Sequence, residues 1–283
     1  MIIEKVFVMG SGIMGSGIAQ VTAEAGYSVI LMDVKEELTN KSVAGIEKRL
    51  DRKIEKGESK ENDKKSVMSR IKTSIDIQDS RDADLVIEAI PEVIDLKINA
   101  FRELDNICQK NAILASNTST IPISNFGAAT KRQPNVIGIH FMNPVPIMKG
   151  VEIIPTRYTS DETTKLSIDF IKSLGKEPCQ AKDYAGFIVS RLVDALINEA
   201  VHCVRDGNLP EEIDKAMRLC CNFPIGPLEL CDLSGADIVL HGMETMHAEF
   251  GERFQPAPIL SSMVRSGDLG RKTGRGFYEY KKM

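Results

Sequence analysis

Val6-Phe7-Val8-Met9-Gly10-Ser11-Gly12-Ile13-Met14-Gly15 runs from a compact apolar stretch directly into the pattern G-x-G-x-x-G. Beyond it Met14, Ile18, Val21 and Ala25 recur at spacings of four, three and four, the stripe of a helix with one apolar face. Gly26 stands where a helix C-terminus wants a left-handed residue, and Tyr27-Ser28-Val29-Ile30-Leu31-Met32 begins a second strand. Strand, glycine turn, helix and strand make a βαβ unit. In it Gly10 permits the tight turn, Gly12 lets the backbone approach a pyrophosphate, and Gly15 allows the helix to pack closely on the strand. The helix N-terminus at Ile13 and Met14 offers unpaired N–H groups and a positive dipole end to that anion. Asp33 closes the second strand about 20 residues on, where a carboxylate accepts ribose hydroxyls and repels a 2′-phosphate. The cofactor implied is NAD rather than NADP.

Working outward, apolar runs at 85–89, 112–115, 136–139 and 151–154 read as further buried strands, with helical patterns between most of them. This alternation predicts an α/β fold, a Rossmann-type doubly wound and mostly parallel sheet covered on both faces. From 36 to 70 the chain is highly charged and helical with a break at Lys56-Gly57-Glu58-Ser59, which predicts an inserted helical hairpin. After Ala185 the strand signal fades. Ile188, Leu192, Ala195, Leu196 and Glu199 form one face of a long helix, and Asn208-Leu209-Pro210-Glu211 reads as an N-cap followed by a first turn. Two domains are therefore expected, an NAD-binding domain over 1–185 and an all-α domain over 186–283. The apolar surface of the second predicts a homodimer made mainly by residues after 186.

The composition narrows the classes of function. With 42% hydrophobic residues the 283-residue chain can bury a full core, and a net charge of −4 leaves no basic excess for nucleic acid. No apolar stretch approaches membrane-spanning length and the N-terminus lacks a signal-peptide pattern, so a cytoplasmic protein is expected. Cys108, Cys179, Cys203, Cys220, Cys221 and Cys231 show no C-x-x-C spacing and the histidines no H-E-x-x-H. No metal site or disulfide framework is expected, and the thiols are read as reduced and buried or half-buried.

In open α/β sheets a ligand lies beyond the carboxyl ends of the strands. Three polar clusters follow strands: Glu92 with Lys97, Ser116-Asn117-Thr118-Ser119, and His140 with Asn143. His140 is the sharpest candidate, because hydride leaving an alcohol carbon requires a group to take the hydroxyl proton. Glu152 lies in an apolar strand where an inward carboxylate needs a partner, and pairing with His140 would orient the ring.

Several motifs together carry a resemblance: Gly10 to Gly15, Glu88-Ala89-Ile90-Pro91-Glu92, Ala115-Ser116-Asn117-Thr118-Ser119, His140-Phe141-Met142-Asn143-Pro144-Val145-Pro146, Gly226-Pro227-Leu228-Glu229-Leu230 and Gly270-Arg271-Lys272-Thr273-Gly274-Arg275-Gly276-Phe277-Tyr278. In order and spacing the chain resembles the L-3-hydroxyacyl-CoA dehydrogenases, most of all their stand-alone bacterial 3-hydroxybutyryl-CoA branch. The resemblance implies NAD-dependent interconversion of (S)-3-hydroxyacyl-CoA and 3-oxoacyl-CoA by a dimer joined through its helical domain. It further implies His140 as general base, Glu152 as its carboxylate, and Ser119 as the serine contacting the substrate oxygen. Ala89, Glu92, Lys97, Asn117, Ser119, Asn143 and Lys272 fall among the cofactor contacts. Ser190 replaces an asparagine that in the family helps hold substrate and base; Ala185 replaces a proline, and Gly150 a leucine. Lys48, Arg49, Arg52, Lys53 and Lys56 concentrate positive charge where the family meets CoA phosphates, with Lys56 the chosen contact. Two other readings remain at this point: a dehydrogenase of a free hydroxy acid of the gulonate type, and a non-catalytic NAD-binding protein.

Overall fold

In the first unit, short apolar runs become strands wherever both faces can be covered, and charged amphipathic stretches become the covering helices. The computed structural model describes residues 2–280. This unit comprises the residues through Thr118 together with Pro122–Asp183. It contains β1 (Lys5–Met9), α1 (Ile13–Glu24), β2 (Ser28–Met32), α2 (Glu36–Glu55), α3 (Glu61–Arg70), β3 (Ile71–Ser74), β4 (Leu85–Glu88), α4 (Ile94–Ile107), β5 (Ile113–Ser116), α5 (Ser124–Ala128), β6 (Val136–Phe141), β7 (Gly150–Pro155), α6 (Asp161–Ser173) and β8 (Glu177–Gln180). The eight strands form one sheet in the order β3-β2-β1-β4-β5-β6-β7-β8. Chain progression reverses between β1 and β4, so the carboxyl ends of those strands open the crevice in which such sheets bind ligands.

β4 and β5 are buried at every residue, as parallel strands covered on both faces must be. β6 and β7 pair antiparallel, because the connection 142–149 is too short for a crossover. β3 and β8 were absent from the sequence reading: Ile71-Lys72-Thr73-Ser74 and Glu177-Pro178-Cys179-Gln180 are edge strands, largely exposed and without an apolar run. The charged hairpin is α2 and α3, turning at 56–60 with Gly57 at φ 74°.

The second unit comprises Ser119–Ile121, a short segment after β5, and the chain from Tyr184 onward. Its helices are α7 (Val189–Arg205), α8 (Pro210–Cys221), α9 (Pro227–Ser234), α10 (Ala236–Phe250) and α11 (Pro258–Ser266). Three sequence expectations need correction here. The buried face of α7 is Ile197, Ala200 and Val201; of the expected stripe Ile188 is 45% and Leu192 66% exposed, while Ala195 packs partly on the core, so the stripe does not form one uniform face. Asn208 does not cap α8: Leu209 occupies that position and the Asn208 amide donates to the Cys203 carbonyl, while Pro210 does open the helix. Nor is the end helical, since Gly270 and Gly274 adopt positive φ and β-bridges join Arg275 to Gly270 and Glu279. That terminal turn is tied to Asp232, whose carboxylate accepts the Phe277 and Tyr278 amides at 3.0 and 2.9 Å. All six cysteines are free, but Cys179, Cys220 and Cys221 are exposed: one lies on an edge strand and two end a surface helix.

Candidate active site

At the carboxyl end of β1, Gly10 makes the tight turn and Gly15 the close helix packing that their spacing implied. Gly10 adopts φ 100°, and a side chain there would bring Cβ within 2.5 Å of the Ala89 carbonyl oxygen. At Gly15 a Cβ would lie 1.8 Å from the Gly10 oxygen, so only glycine lets α1 start this close to the turn. Gly12 meets nothing within 4 Å and faces open space, with Ile13 78% exposed beside it. The Asp33 carboxylate is fixed by the Ser11 amide and hydroxyl, both at 2.7 Å from Oδ2, and by the Val34 amide at 2.8 Å from Oδ1. A cavity of about 910 Å³ spans these groups and is walled by Met14, Leu38, Ala89, Ile90 and Leu96. A cradle of free N–H groups, a fixed carboxylate at its far end and apolar walls between them fit a dinucleotide.

The second wall of this cavity comes from α2, where Lys41, Ser42, Gly45 and Arg49 share one face. Ser42 donates to the Ser11 carbonyl, and Arg49 reaches across to Gln20 Oε1 at 2.6 Å. Burial lowers the Arg49 pKa, against the pull of Glu24. Within the basic concentration, Lys53 is engaged by Glu24 at 2.8 Å, and Lys56 sits exposed at the C-cap of α2. Of these basic residues Arg49 lines the dinucleotide cavity.

At the ends of β4 and β5 lies a buried polar cluster that the sequence reading saw only in part. Lys97 is 1% exposed, and its ammonium reaches Glu88 Oε1 at 2.6 Å, the Ile90 carbonyl at 3.1 Å and Glu92 Oε2 at 3.1 Å. Those three acceptors match its three donors. Glu88 also takes the Ser116 hydroxyl at 2.6 Å and the Ile90 amide at 2.8 Å, and Thr118 donates to Glu92. Burial pushes the Glu88 pKa up, with Lys97 the main opposing influence. Lys97 and Glu92 were expected among the cofactor contacts; Glu88 was not singled out, although a carboxylate closing a wholly apolar strand with a lysine nine residues on was its signal. Asn117 is buried and accepts the Phe141 amide at 2.9 Å, which ties β5 to β6 beside His140.

His140 and Glu152 are direct cross-strand partners in the β6–β7 register. Nδ1 stands 2.8 Å from Glu152 Oε2, and the two residues are 5% and 1% exposed. The antiparallel return of β7 is what places a carboxylate opposite the ring. With Nδ1 engaged by Glu152, proton chemistry falls to Nε2. Asn143 is exposed on the loop that follows β6.

The remaining candidates lie in the second unit. Ser119 belongs to its short segment, and Ser190 is the second residue of α7, half-buried. Lys272 is held by Asp237, at 2.5 and 2.7 Å from its two oxygens. Among the described residues no three His, Cys, Asp or Glu side chains gather to hold a metal ion, and no helix is long and apolar enough to cross a membrane.

Comparison with known proteins places this geometry. The family model for the 3-hydroxyacyl-CoA dehydrogenase NAD binding domain matches residues 5–184, and that for the C-terminal domain of the same enzymes matches 186–280. A probable 3-hydroxybutyryl-CoA dehydrogenase of Bacillus subtilis is 44% identical over 98% of both chains. The crystal structure of (S)-3-hydroxybutyryl-CoA dehydrogenase from Ralstonia eutropha is 44% identical with a TM-score of 0.94, covering 99% of this chain and 100% of that one. A diketoreductase described as acting on dicarbonyl compounds is 28% identical with a TM-score of 0.84, covering 99% and 100%.

Proposed function

The chain belongs to the 3-hydroxyacyl-CoA dehydrogenase family, and from that premise we propose that it interconverts (S)-3-hydroxybutyryl-CoA and acetoacetyl-CoA with NAD(H). The observation that carries the chemistry is the buried His140–Glu152 pair beside the carboxyl ends of the parallel strands. NAD, when bound, supplies the acceptor for the hydride leaving the substrate's C3. His140 takes the C3 hydroxyl proton at Nε2, and Glu152 holds the Nδ1 proton and offsets the charge the ring acquires. In the reducing direction the imidazolium returns that proton to the C3 oxygen. Gly12, Ile13, Met14 and Gly15 meet the pyrophosphate at the helix N-terminus, while Gly10, its own N–H given to the Met32 carbonyl, makes the turn that lets the anion approach. Asp33 accepts the ribose hydroxyls, and Ala89, Glu92, Asn117, Ser119, Asn143 and Lys272 complete the cofactor contacts, while Ser119, Ser190 and Lys56 hold the substrate. The cytoplasm, where NAD and acyl-CoA are both at hand, is the compartment this reading calls for.

NADH oxidation with acetoacetyl-CoA beside free acetoacetate tests the reading. Turnover with the thioester and little with the free acid is the expected result, and the reverse preference overturns it in favour of a free hydroxy acid. Asp33→Ala should weaken NAD use and narrow its advantage over NADP by roughly tenfold, the effect of one charge-assisted hydrogen bond. Equal efficiency with the two cofactors in the unmodified protein would remove the role given to Asp33.

The same reading includes a homodimer. Leu192, Leu209, Leu219 and Ile238 of the helical unit are 66%, 64%, 76% and 54% exposed, an amount of apolar surface that a second copy would cover. Sedimentation is expected to give a dimer at micromolar concentration. A dilute monomer with full activity argues against it.

A further inference from the structure

The connection from β6 to β7 joins His140 to its carboxylate through residues 142–149 and carries Asn143, exposed, near its start. Before Asn143 the chain is fixed at Phe141, whose amide donates to Asn117 Oδ1 at 2.9 Å. After it the chain turns at Pro144, whose carbonyl accepts the Ile147 and Met148 amides at 2.9 and 3.0 Å. An exposed side chain in such a place stands where its backbone puts it, so whatever holds the turn also places Asn143.

The turn is held from two sides. Lys176, directly before β8 and 6% exposed, donates from Nζ to the Val145 carbonyl at 2.6 Å and to the Met148 carbonyl at 2.7 Å. The Glu177 amide follows with a bond to the Lys149 carbonyl at 2.9 Å, which carries the β7–β8 pairing up to the turn. Burial lowers the Lys176 pKa, against the pull of Glu24. The ammonium thus offsets its desolvation with two carbonyls of one turn, where an apolar side chain of the same length would meet no such cost. On the opposite side Val145 packs on α1: a Cβ at Gly17 would lie 2.8 Å from Val145 Cβ. The turn is clamped between this lysine and the helix whose N-terminus faces the pyrophosphate.

We propose that Lys176 is a positioning residue for the reaction, holding the turn at 144–148 so that Asn143 stands where it meets the bound dinucleotide. The proposal rests on the reading above in which Asn143 contacts NAD. Lys176 acts through the connection and not on the cofactor itself.

A cycle of Lys176→Met, Asn143→Ala and the two combined, read by NADH binding, tests it. Methionine keeps the length of the side chain and removes its donors. Each single variant should raise the NADH dissociation constant roughly tenfold, as the loss of one hydrogen bond does, while KM for acetoacetyl-CoA at saturating NADH stays within about twofold. Since both changes remove the same contact, the double variant should bind NADH less than about twofold more weakly than Asn143→Ala. Lys176→Met should also lower the melting temperature by about 4 °C in either background, because two carbonyls lose their donor. A merely structural lysine would show that fall but not the coupling. If Lys176→Met does not fold, Gly17→Ala pushes on Val145 from the side of α1 and carries the same expectation: weaker NADH binding in the unmodified protein and little further change in Asn143→Ala. An NADH dissociation constant indifferent to Lys176→Met overturns the proposal. So do losses that simply multiply in the double variant, which would mean that the lysine acts independently of Asn143. NADH binding unmoved by Asn143→Ala overturns the contact given to Asn143 and this proposal with it; weakened binding in Asn143→Ala beside an indifferent Lys176→Met overturns this inference alone.

Discussion

His140→Gln is expected to fold, to bind NADH as the unmodified protein does, and to lose turnover by roughly 10²–10⁴. Glutamine keeps a polar side chain of similar reach opposite Glu152, so the buried carboxylate retains a donor across the β6–β7 pair. What is lost is a group that can hold a proton and return it, about 3–5 kcal/mol of barrier for that range of rate. Glu152→Gln should also lose rate, because the ring would then acquire charge in a buried place with no carboxylate to offset it. If the two act as one unit, the double variant is hardly slower than His140→Gln alone. Losses that simply multiply would show two independent contributions, and near-normal turnover in His140→Gln would place the proton elsewhere.

The sequence carried the first βαβ unit because each of its features has its own physical cause. The apolar run, the glycines at three fixed places and the carboxylate after the second strand must coincide for a dinucleotide to bind. His140 and Glu152 were legible for another reason: a charged residue in a buried strand demands a partner, and a connection too short for a crossover brings that partner opposite. The edge strands β3 and β8 were illegible because they bury little, and burial is what writes periodicity into a sequence. The stripe expected on α7 misled for the opposite reason. Ile188 and Leu192 repeat at helical spacing although they are exposed, and periodicity reports an apolar face without saying what covers it. The place of Arg49 in the cavity wall depends on what faces it across the α1–α2 pair, Gln20 and Ser16. No spacing within a single element encodes such pairs.

Lys97→Met should destabilise the protein by about 3–5 kcal/mol at neutral pH, the cost of removing one partner from a buried ion pair. The lysine is the common partner of Glu88 and Glu92, and its loss leaves two carboxylates facing a methylene chain. Of the two, Glu88 is wholly buried and its pKa is already raised by burial, with Lys97 the first influence holding it down. Without the ammonium Glu88 takes up a proton in the folded protein while remaining ionised in the unfolded chain. A raised carboxyl pKa in the folded state makes stability fall as pH rises above the unfolded value, so the deficit of Lys97→Met should grow from acidic to neutral pH. Urea denaturation at pH 5 and pH 7.5 reads this difference. Adding Glu88→Gln to Lys97→Met should recover part of the loss and flatten its pH dependence, since an amide can accept from Ser116 without carrying charge. The same change reaches the cofactor. Ile90 loses the lysine's hold on its carbonyl, and Ile90 with Ala89 and Pro91 walls the dinucleotide cavity, so NADH affinity should fall even where the fold survives. A Lys97→Met protein as stable as the original at both pH values would mean that desolvation of the ion pair already cancels its attraction. The cluster would then contribute orientation to the cavity wall and no stability.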